Sequence, residues 1–189
     1  FERDLGLPLR QIRGAAASLN VLAAATLRII DRDKRRVGRV DVHAVVGAVL
    51  DTFGPFFLGR RVAVMFEPAP AQPFMRGSPA ALESIVTNLI NNSLAAMEMT
   101  SSEERRILVR TSIPGDIVEL EVQDSGTGIE GISMDDIWLP GESRRDGGTG
   151  LGLTIVRDSV ADLGGTVEAR AHGELGGALF TIQLPILGS

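Results

Sequence analysis

The run IVELEVQDSGTGI, residues 117–129, carries a β-forming segment straight into a carboxylate and two glycines. Residues 107–113 form a second β-rich run, and Pro114-Gly115-Asp116 lies between them. That spacing predicts an antiparallel hairpin that delivers Asp124 at its end. An ionised carboxylate only accepts hydrogen bonds, which suits an amino group such as that of adenine, and glycines let backbone approach a flat ring closely. Taken alone, Asp124-Ser125-Gly126-Thr127-Gly128 reads equally as a turn.

Upstream of the hairpin, Ser78-Pro79 is a helix start, because Ser supplies the cap and Pro fits the first turn without losing a needed N–H. Leu82, Ile85, Val86, Leu89, Ile90 and Met97 form the apolar stripe of a helix that reaches about Met99. Asn88 and Asn92 are four apart and share a different face of it. An amide oxygen is a neutral, hard ligand for magnesium that also holds phosphates and waters, although two helix asparagines can equally be solvated bystanders. Farther back, Val42, Val45, Val46, Val49, Leu50 and Phe53 mark an earlier helix, capped by Asp41 and stopped at Gly54-Pro55. Residues 61–67 read as a strand, and residues 67–73, rich in Pro and Ala, as a loop. Leu9, Ile12, Ala16, Leu19, Leu22, Leu27 and Ile30 trace a helix over residues 5–31, followed by a charged break over residues 31–39.

Downstream, residues 126–152 hold Gly and polar residues without a period, and ordered elements follow, so the segment reads as a lid-like loop. Gly148-Thr149-Gly150-Leu151-Gly152-Leu153 then opens a helix over residues 151–163, ended by Gly164-Gly165. Backbone N–H groups at such a helix start face an anion. No strand leads tightly into these glycines and no Gly-Lys-Ser/Thr follows, which sets aside a dinucleotide fingerprint and a Walker loop. Residues 166–171 and 179–184 read as two more strands. The expected fold is α+β: a two-layer α/β sandwich with a mixed, mostly antiparallel sheet, helices on one face, and an N-terminal helix.

With 189 residues, 44% hydrophobic and 23% charged, one main domain with an appendage is expected. The division is an N-terminal helix over residues 1–38 and a main domain over residues 39–189. A net charge of -5 argues against a generic nucleic-acid surface, and the absence of Cys excludes disulfides and thiolate metal sites. No uninterrupted apolar run approaches the roughly 20 residues of a membrane span and no leader is visible. The expectation is a cytoplasmic chain without membrane contact, whose parent protein could be anchored elsewhere.

The three motifs, in their order and setting, resemble the Bergerat ATP-binding fold shared by gyrase B, the large heat-shock chaperone, histidine kinases and MutL. Asn88-Leu89-Ile90-Asn91-Asn92-Ser93 looks like the asparagine box of histidine kinases, and Asp124 to Ile129 and Gly148 to Leu153 look like their two glycine boxes. The ending Phe180-Thr181-Ile182-Gln183-Leu184-Pro185 also looks like theirs, so that the resemblance runs over about residues 40–187. It implies that ATP and Mg2+ are bound, with Asn92 on the metal, Asn88 near the phosphates and Asp124 on the adenine amino group. Gly126, Gly128 and Ile129 would line the base, and Gly148, Thr149, Gly150, Leu151 and Gly152 would shape the lid end over the triphosphate. Arg144 and Arg145, after Ser143, stand where many relatives carry a Lys and are assigned to the γ-phosphate, two exposed lid cations being the alternative; with Asn88 they are the catalytic candidates. Trp138 replaces a lid Phe, Ser93 replaces the usual Ala, and Leu94-Ala95-Ala96 lacks a cation that some relatives have.

Hydrolysing branches of the superfamily carry a Glu at the position of Asn88, and an amide cannot take a proton from water. The resemblance therefore implies a two-component sensor histidine kinase, with the γ-phosphate passing to an imidazole. Neither His43 nor His172 lies in a histidine-box context, and Arg3-Asp4-Leu5-Gly6-Leu7-Pro8-Leu9 only faintly resembles such a box. The acceptor is expected on a helix hairpin in the same full-length protein or another chain, with a response regulator as next partner and homodimerisation through the N-terminal helix. The alternative is an ATP-dependent conformational switch without phosphotransfer.

Overall fold

The computed structural model describes residues 36–100, 102–141 and 150–187. The helix expected over residues 5–31 lies outside them, as do Arg144, Arg145, Gly148 and Thr149. Among the described residues the chain runs through β1 (Gly38–Asp41), α1 (Val42–Arg60), β2 (Val62–Glu67), β3 (Phe74–Gly77) and α2 (Pro79–Glu98). β4 (Arg105–Ser112), β5 (Ile117–Asp124), a 3-10 turn (Asp136–Trp138), α3 (Gly152–Asp162), β6 (Thr166–Arg170) and β7 (Leu179–Pro185) complete it.

The order of the main sheet is β2-β4-β5-β7-β6. Only the β2–β4 pairing is parallel. Its inner face is apolar because each strand alternates: Val118, Leu120 and Val122 of β5 and Phe180, Ile182 and Leu184 of β7 are buried. Glu119, Glu121, Thr181 and Gln183 fall on the other face, where Arg110 pairs with Glu67 at 2.7 Å and Glu121 at 3.3 Å. The helices pack on the inner face, giving the expected two layers.

α2 is the centre of the core. Ser78 Oγ accepts a hydrogen bond from Ala81 N at 3.1 Å, Pro79 occupies the first turn, and Leu82, Ile85, Val86, Leu89, Ile90 and Met97 are all buried. Removing each such side chain from water contributes about 1.5–3 kcal/mol. α1 begins as expected, with Asp41 accepting from Ala44 N at 3.0 Å, but it does not stop at Gly54-Pro55. Pro55 lies inside the helix, which ends at Arg61 with φ of 53°. Pro55 withdraws one N–H from the ladder, and the turns beyond it are held by burial of Phe57, stacking of Phe53 on Phe57 and the Arg60–Glu98 pair at 3.1 Å.

Two strands were not expected. β1 and β3 form a separate antiparallel pair, Gly38 opposite Gly77 through Asp41 opposite Phe74, and Leu187 N donates to Phe74 O at 2.7 Å. This pair joins the entry of α1 and of α2 to the end of β7.

α1 is also long and apolar enough to cross a membrane by length and composition, with 19 residues and a mean hydropathy of 1.5. Val42, Val46, Val49 and Phe57 on it belong to the shared core, whereas Phe56 and Leu58 are exposed and only 22% of the apolar window is buried within the domain. Ile182→Ala should lower the free energy of unfolding by about 2–5 kcal/mol. A urea titration would read this as a lower midpoint at unchanged slope.

Candidate functional site

The middle of α2 meets the start of α3, and its C-terminal end meets the loop that follows β5. A Cβ added to Gly152 would lie 3.4 Å from Asn88 Oδ1 and 3.5 Å from Asn92 Oδ1, so the first residue of α3 rests against both amide heads. Asn88 Nδ2 donates to Ser84 O at 2.8 Å, which turns its oxygen outward toward Gly152. α3 starts without a side-chain cap, so its dipole end faces the same space. Among the described residues no group of three His, Cys, Asp or Glu side chains could hold a metal unaided. Any divalent ion here would have to arrive with anionic ligands of its own.

Asp124 is 2% exposed at the end of β5. Its Oδ1 accepts from Gly126 N at 2.9 Å, while its backbone donates to Ala178 O and accepts from Gly177 N. Burial pushes its carboxyl above the ordinary carboxylate range, and Gly126 N–H, Ser93 and the Ala178 backbone pull it partly back. The Ser93 hydroxyl is near enough to favour the charged carboxylate, yet it makes no hydrogen bond of ordinary geometry and is buried at 1% exposure.

The two glycines of the loop face different neighbours. A Cβ on Gly126 would come within 2.6 Å of Ala96 Cβ and 2.8 Å of its backbone carbon, so Gly126 permits contact between the loop and α2. A Cβ on Gly128, whose φ is +74°, would strike Ala171 O and the His172 ring instead. Ile129 donates its N–H to Ala171 O at 3.1 Å and packs against the core. Gly177 is a site residue that sequence reasoning missed: a Cβ there would run into Asp124 Oδ1 and Gly126 N. Its only signal was the Gly176-Gly177 pair, which reads as a turn.

The lid's roots are also placed. Trp138 meets Phe180 edge to face at 6.3 Å, its carbonyl accepts from Thr154 Oγ1 at 3.0 Å, and Gly141 N donates to Gly150 O at 3.1 Å. Trp138 thus plugs the base of the loop against α3 and β7. Leu151, just before α3, is exposed. Glu98 pairs with Arg60, on the α1 side of α2. His43 Nε2 shares a hydrogen bond with Thr111 Oγ1 at 2.9 Å, and burial lowers its pKa, partly offset by Asp41. His172 Nδ1 lies 2.9 Å from Gly176 O.

The family described as histidine kinase-, DNA gyrase B-, and HSP90-like ATPase matches residues 77–188. The chain belongs to this ATPase family. Among its relatives, sensor histidine kinase ZraS of Klebsiella oxytoca is 31% identical over 175 residues, 92% of this chain and 37% of that protein. The two-component sensor PprA of Pseudomonas aeruginosa is 38% identical over 126 residues, 63% of this chain and 13% of that one. The chain therefore spans 37% of one of these relatives and 13% of the other. The mycobacterial sensor histidine kinase MprB shares the fold at a TM-score of 0.66 and 22% identity, over 82% of this chain and 100% of that one. Full-length ShkA in complex with AMPPNP aligns at a TM-score of 0.65 and 25% identity, over 82% of this chain and 32% of that one. This ATPase domain is of the sensor histidine kinase kind.

Because the folded carboxyl of Asp124 is raised, its contribution to stability is full below the unfolded pKa and is lost as pH rises through the folded one. Asp124→Asn should therefore unfold at a higher temperature than the wild type at pH 7 without nucleotide. The gap should narrow as pH falls toward the ordinary carboxylate range, which thermal melts across pH would follow. Gly177→Ala should lose about 1–3 kcal/mol of stability through overpacking against Asp124, measured by the same melts.

Proposed function

We propose that this chain is the ATP- and magnesium-binding catalytic core of a bacterial two-component sensor histidine kinase. In this reading the γ-phosphoryl group of ATP passes to a histidine other than its own His43 and His172. What supports it is that α2 carries both contacts: its two asparagine amides lie against the start of α3, and its Ala96 lies against Gly126, which binds the buried Asp124. The donor set fits the ligand: a buried acceptor for an amino group at one end, amide oxygens and an uncapped helix start for phosphates and their cation at the other.

Asp124 accepts from the adenine amino group, and Gly126 keeps α2 and the loop close enough to hold that carboxylate in place. Gly128 and Ile129 support the base indirectly, through Ala171 and the core. Asn92 would hold Mg2+, which when bound neutralises phosphate charge and orients the triphosphate. Asn88, its nitrogen spent on Ser84, turns only an acceptor toward this end. Gly148, Thr149, Gly150, Leu151 and Gly152 would shape the lid end over the phosphates, and Arg144 and Arg145 would stabilise the γ-phosphate as it transfers. In the transfer an imidazole nitrogen bonds to the γ-phosphorus, the bond to the β,γ-bridging oxygen breaks, and ADP leaves with that electron pair.

Asn88 and Asn92 cannot deprotonate water and Glu98 pairs with Arg60, which disfavours hydrolysis at the asparagine end of the site. His43 is tied to Thr111 and His172 lies by the Gly176 carbonyl, which leaves the acceptor to a helix hairpin in the same full-length protein or another chain. Residues 1–38 would belong to such a hairpin and provide a route to a homodimer. A response regulator would take the phosphoryl group next, and the chain would work in the cytoplasm, whether or not the whole protein is anchored.

Calorimetry with ATP, with and without magnesium, on wild type and Asp124→Asn, followed by labelled ATP and a His-bearing hairpin helix, tests this. The expected outcome is magnesium-dependent binding, at least tenfold weaker in Asp124→Asn, and label on the helix. That factor corresponds to about 1.4 kcal/mol for one buried charge-assisted hydrogen bond. Binding without transfer would instead favour a nucleotide-driven conformational switch, and absence of binding would overturn both readings.

A further inference from the structure

The apolar character of α1 exceeds what the core takes up. Its last two turns leave Phe56 52% exposed and Leu58 84% exposed, flanking the buried Phe57. A Cβ added to Gly54 or Gly59 would meet no atom within 4 Å, so the helix tip borders open space on those sides as well. Met99, next to Glu98 and therefore close to this tip through the Arg60–Glu98 pair, is also exposed. Guanidinium groups gather at the same end. Arg60 and Arg61 follow the exposed residues directly, and Arg105 Nη1 donates to Arg60 O at 3.4 Å, with Arg106 beside it in the chain. Glu98 pairs with Arg60 at 3.1 Å and Glu104 with Arg106 at 3.5 Å. Among the described residues Arg61 and Arg105 form no ion pair, and neither does the exposed Glu103.

We propose that the C-terminal tip of α1 docks on the surface of an anionic lipid bilayer, with Phe56 and Leu58 entering the acyl boundary and Arg60, Arg61 and Arg105 meeting lipid phosphates. An aromatic and an aliphatic side chain beside cations that can stay at headgroup level is the composition of an interfacial contact. The helix lies on the bilayer and does not cross it, because Val42, Val46, Val49 and Phe57 hold it in the core and Arg61 turns the chain straight into β2. The sequence expectation of no membrane contact rested on the lack of an unbroken apolar run, which bears on spanning and not on surface contact. A second copy is the poorer occupant, since a two-fold contact over this tip would set the same arginines against one another. A protein partner would need a recess for a side chain as exposed as Leu58, whereas lipid chains adapt to it.

The sequence has no Cys, so Leu58→Cys gives the 189-residue chain a single attachment point for an environment-sensitive fluorophore. Glu168→Cys on β6, at the opposite edge of the sheet from β2, is the reference position. On vesicles of phosphatidylglycerol mixed with phosphatidylcholine, emission from position 58 should shift to the blue while that from position 168 stays unchanged. In cosedimentation the unlabelled wild type should bind these vesicles about fivefold more tightly than phosphatidylcholine alone. Leu58→Ser should bind about tenfold more weakly, and Arg61→Glu about fivefold more weakly on the anionic vesicles only. Leu58→Ser should melt at the wild-type temperature, because Leu58 packs on little of the domain. Absence of vesicle binding, binding unchanged in both variants, or a bound chain whose label at 58 stays in water overturns the proposal. A blue shift that grows with protein concentration and needs no vesicles overturns it in favour of a second copy.

Discussion

The burial of one stripe of α2 under the five-stranded sheet governs the rest of the structure. Leu82, Ile85, Val86, Leu89, Ile90 and Met97 leave the helix no freedom to rotate, since any turn about its axis would bring apolar side chains to water and polar ones to the core. With the azimuth set, Asn88 and Asn92 point at the start of α3, and Ser93 and Ala96 point at the end of β5. The site is a by-product of this packing in the sense that no loop has to order itself to bring its α2 and β5 side chains together. Its precision comes from the core.

Asp124 shows the opposite tendency, a local choice that works against stability. A carboxylate at 2% exposure is costly, and its raised pKa records the part of that cost left after Gly126, Ser93 and Ala178 have contributed. Glycine is what makes the arrangement geometrically feasible. Gly126 lets the loop touch Ala96, and Gly177 lets the β6–β7 connection close over the Asp124 backbone; a methyl group at either would occupy space already filled. The polar end of the pocket is therefore shaped by backbone from three separate parts of the chain, with a single charged group at its centre. An acceptor held this way is fixed in orientation by its surroundings.

Charge elsewhere is kept away from that pocket. Arg110, Glu67 and Glu121 pair on the outer face of the sheet, and Glu98 pairs with Arg60 between α1 and α2. Both histidines with described surroundings are likewise engaged, His43 by Thr111 and Phe66 and His172 beside Gly176. Among the described residues, the polar side chains of the site are thus neutral amides, one hydroxyl and one carboxylate. That set favours binding and orienting a polyphosphate over proton transfer to or from water.

Much of this was legible in the sequence because the signals are local. Ser78-Pro79 and Asp41 cap helices by contacts three residues away, the 107–124 hairpin is announced by its turn, and the spacing of Asn88 and Asn92 alone puts them on one face. What escaped depends on residues far apart in the chain. The β1–β3 pair has only four residues per strand and no periodicity of its own, and it exists because β7 and the two helix starts hold it. Pro55 reads as a stop, since the stacking of Phe53 on Phe57 and the Arg60–Glu98 pair that outweigh it are tertiary contacts. Likewise, nothing in Gly-Gly at 176–177 says that Asp124 lies beneath it, and nothing in the Asp-x-Gly-x-Gly pattern says that its glycines face different neighbours. The sequence by itself determined which elements form and which side chains share a face, because backbone periodicity and capping are decided within a few residues. Only the tertiary structure decided which atoms meet at the pocket and which are left unpaired there, because burial and steric exclusion depend on whatever the rest of the chain brings alongside.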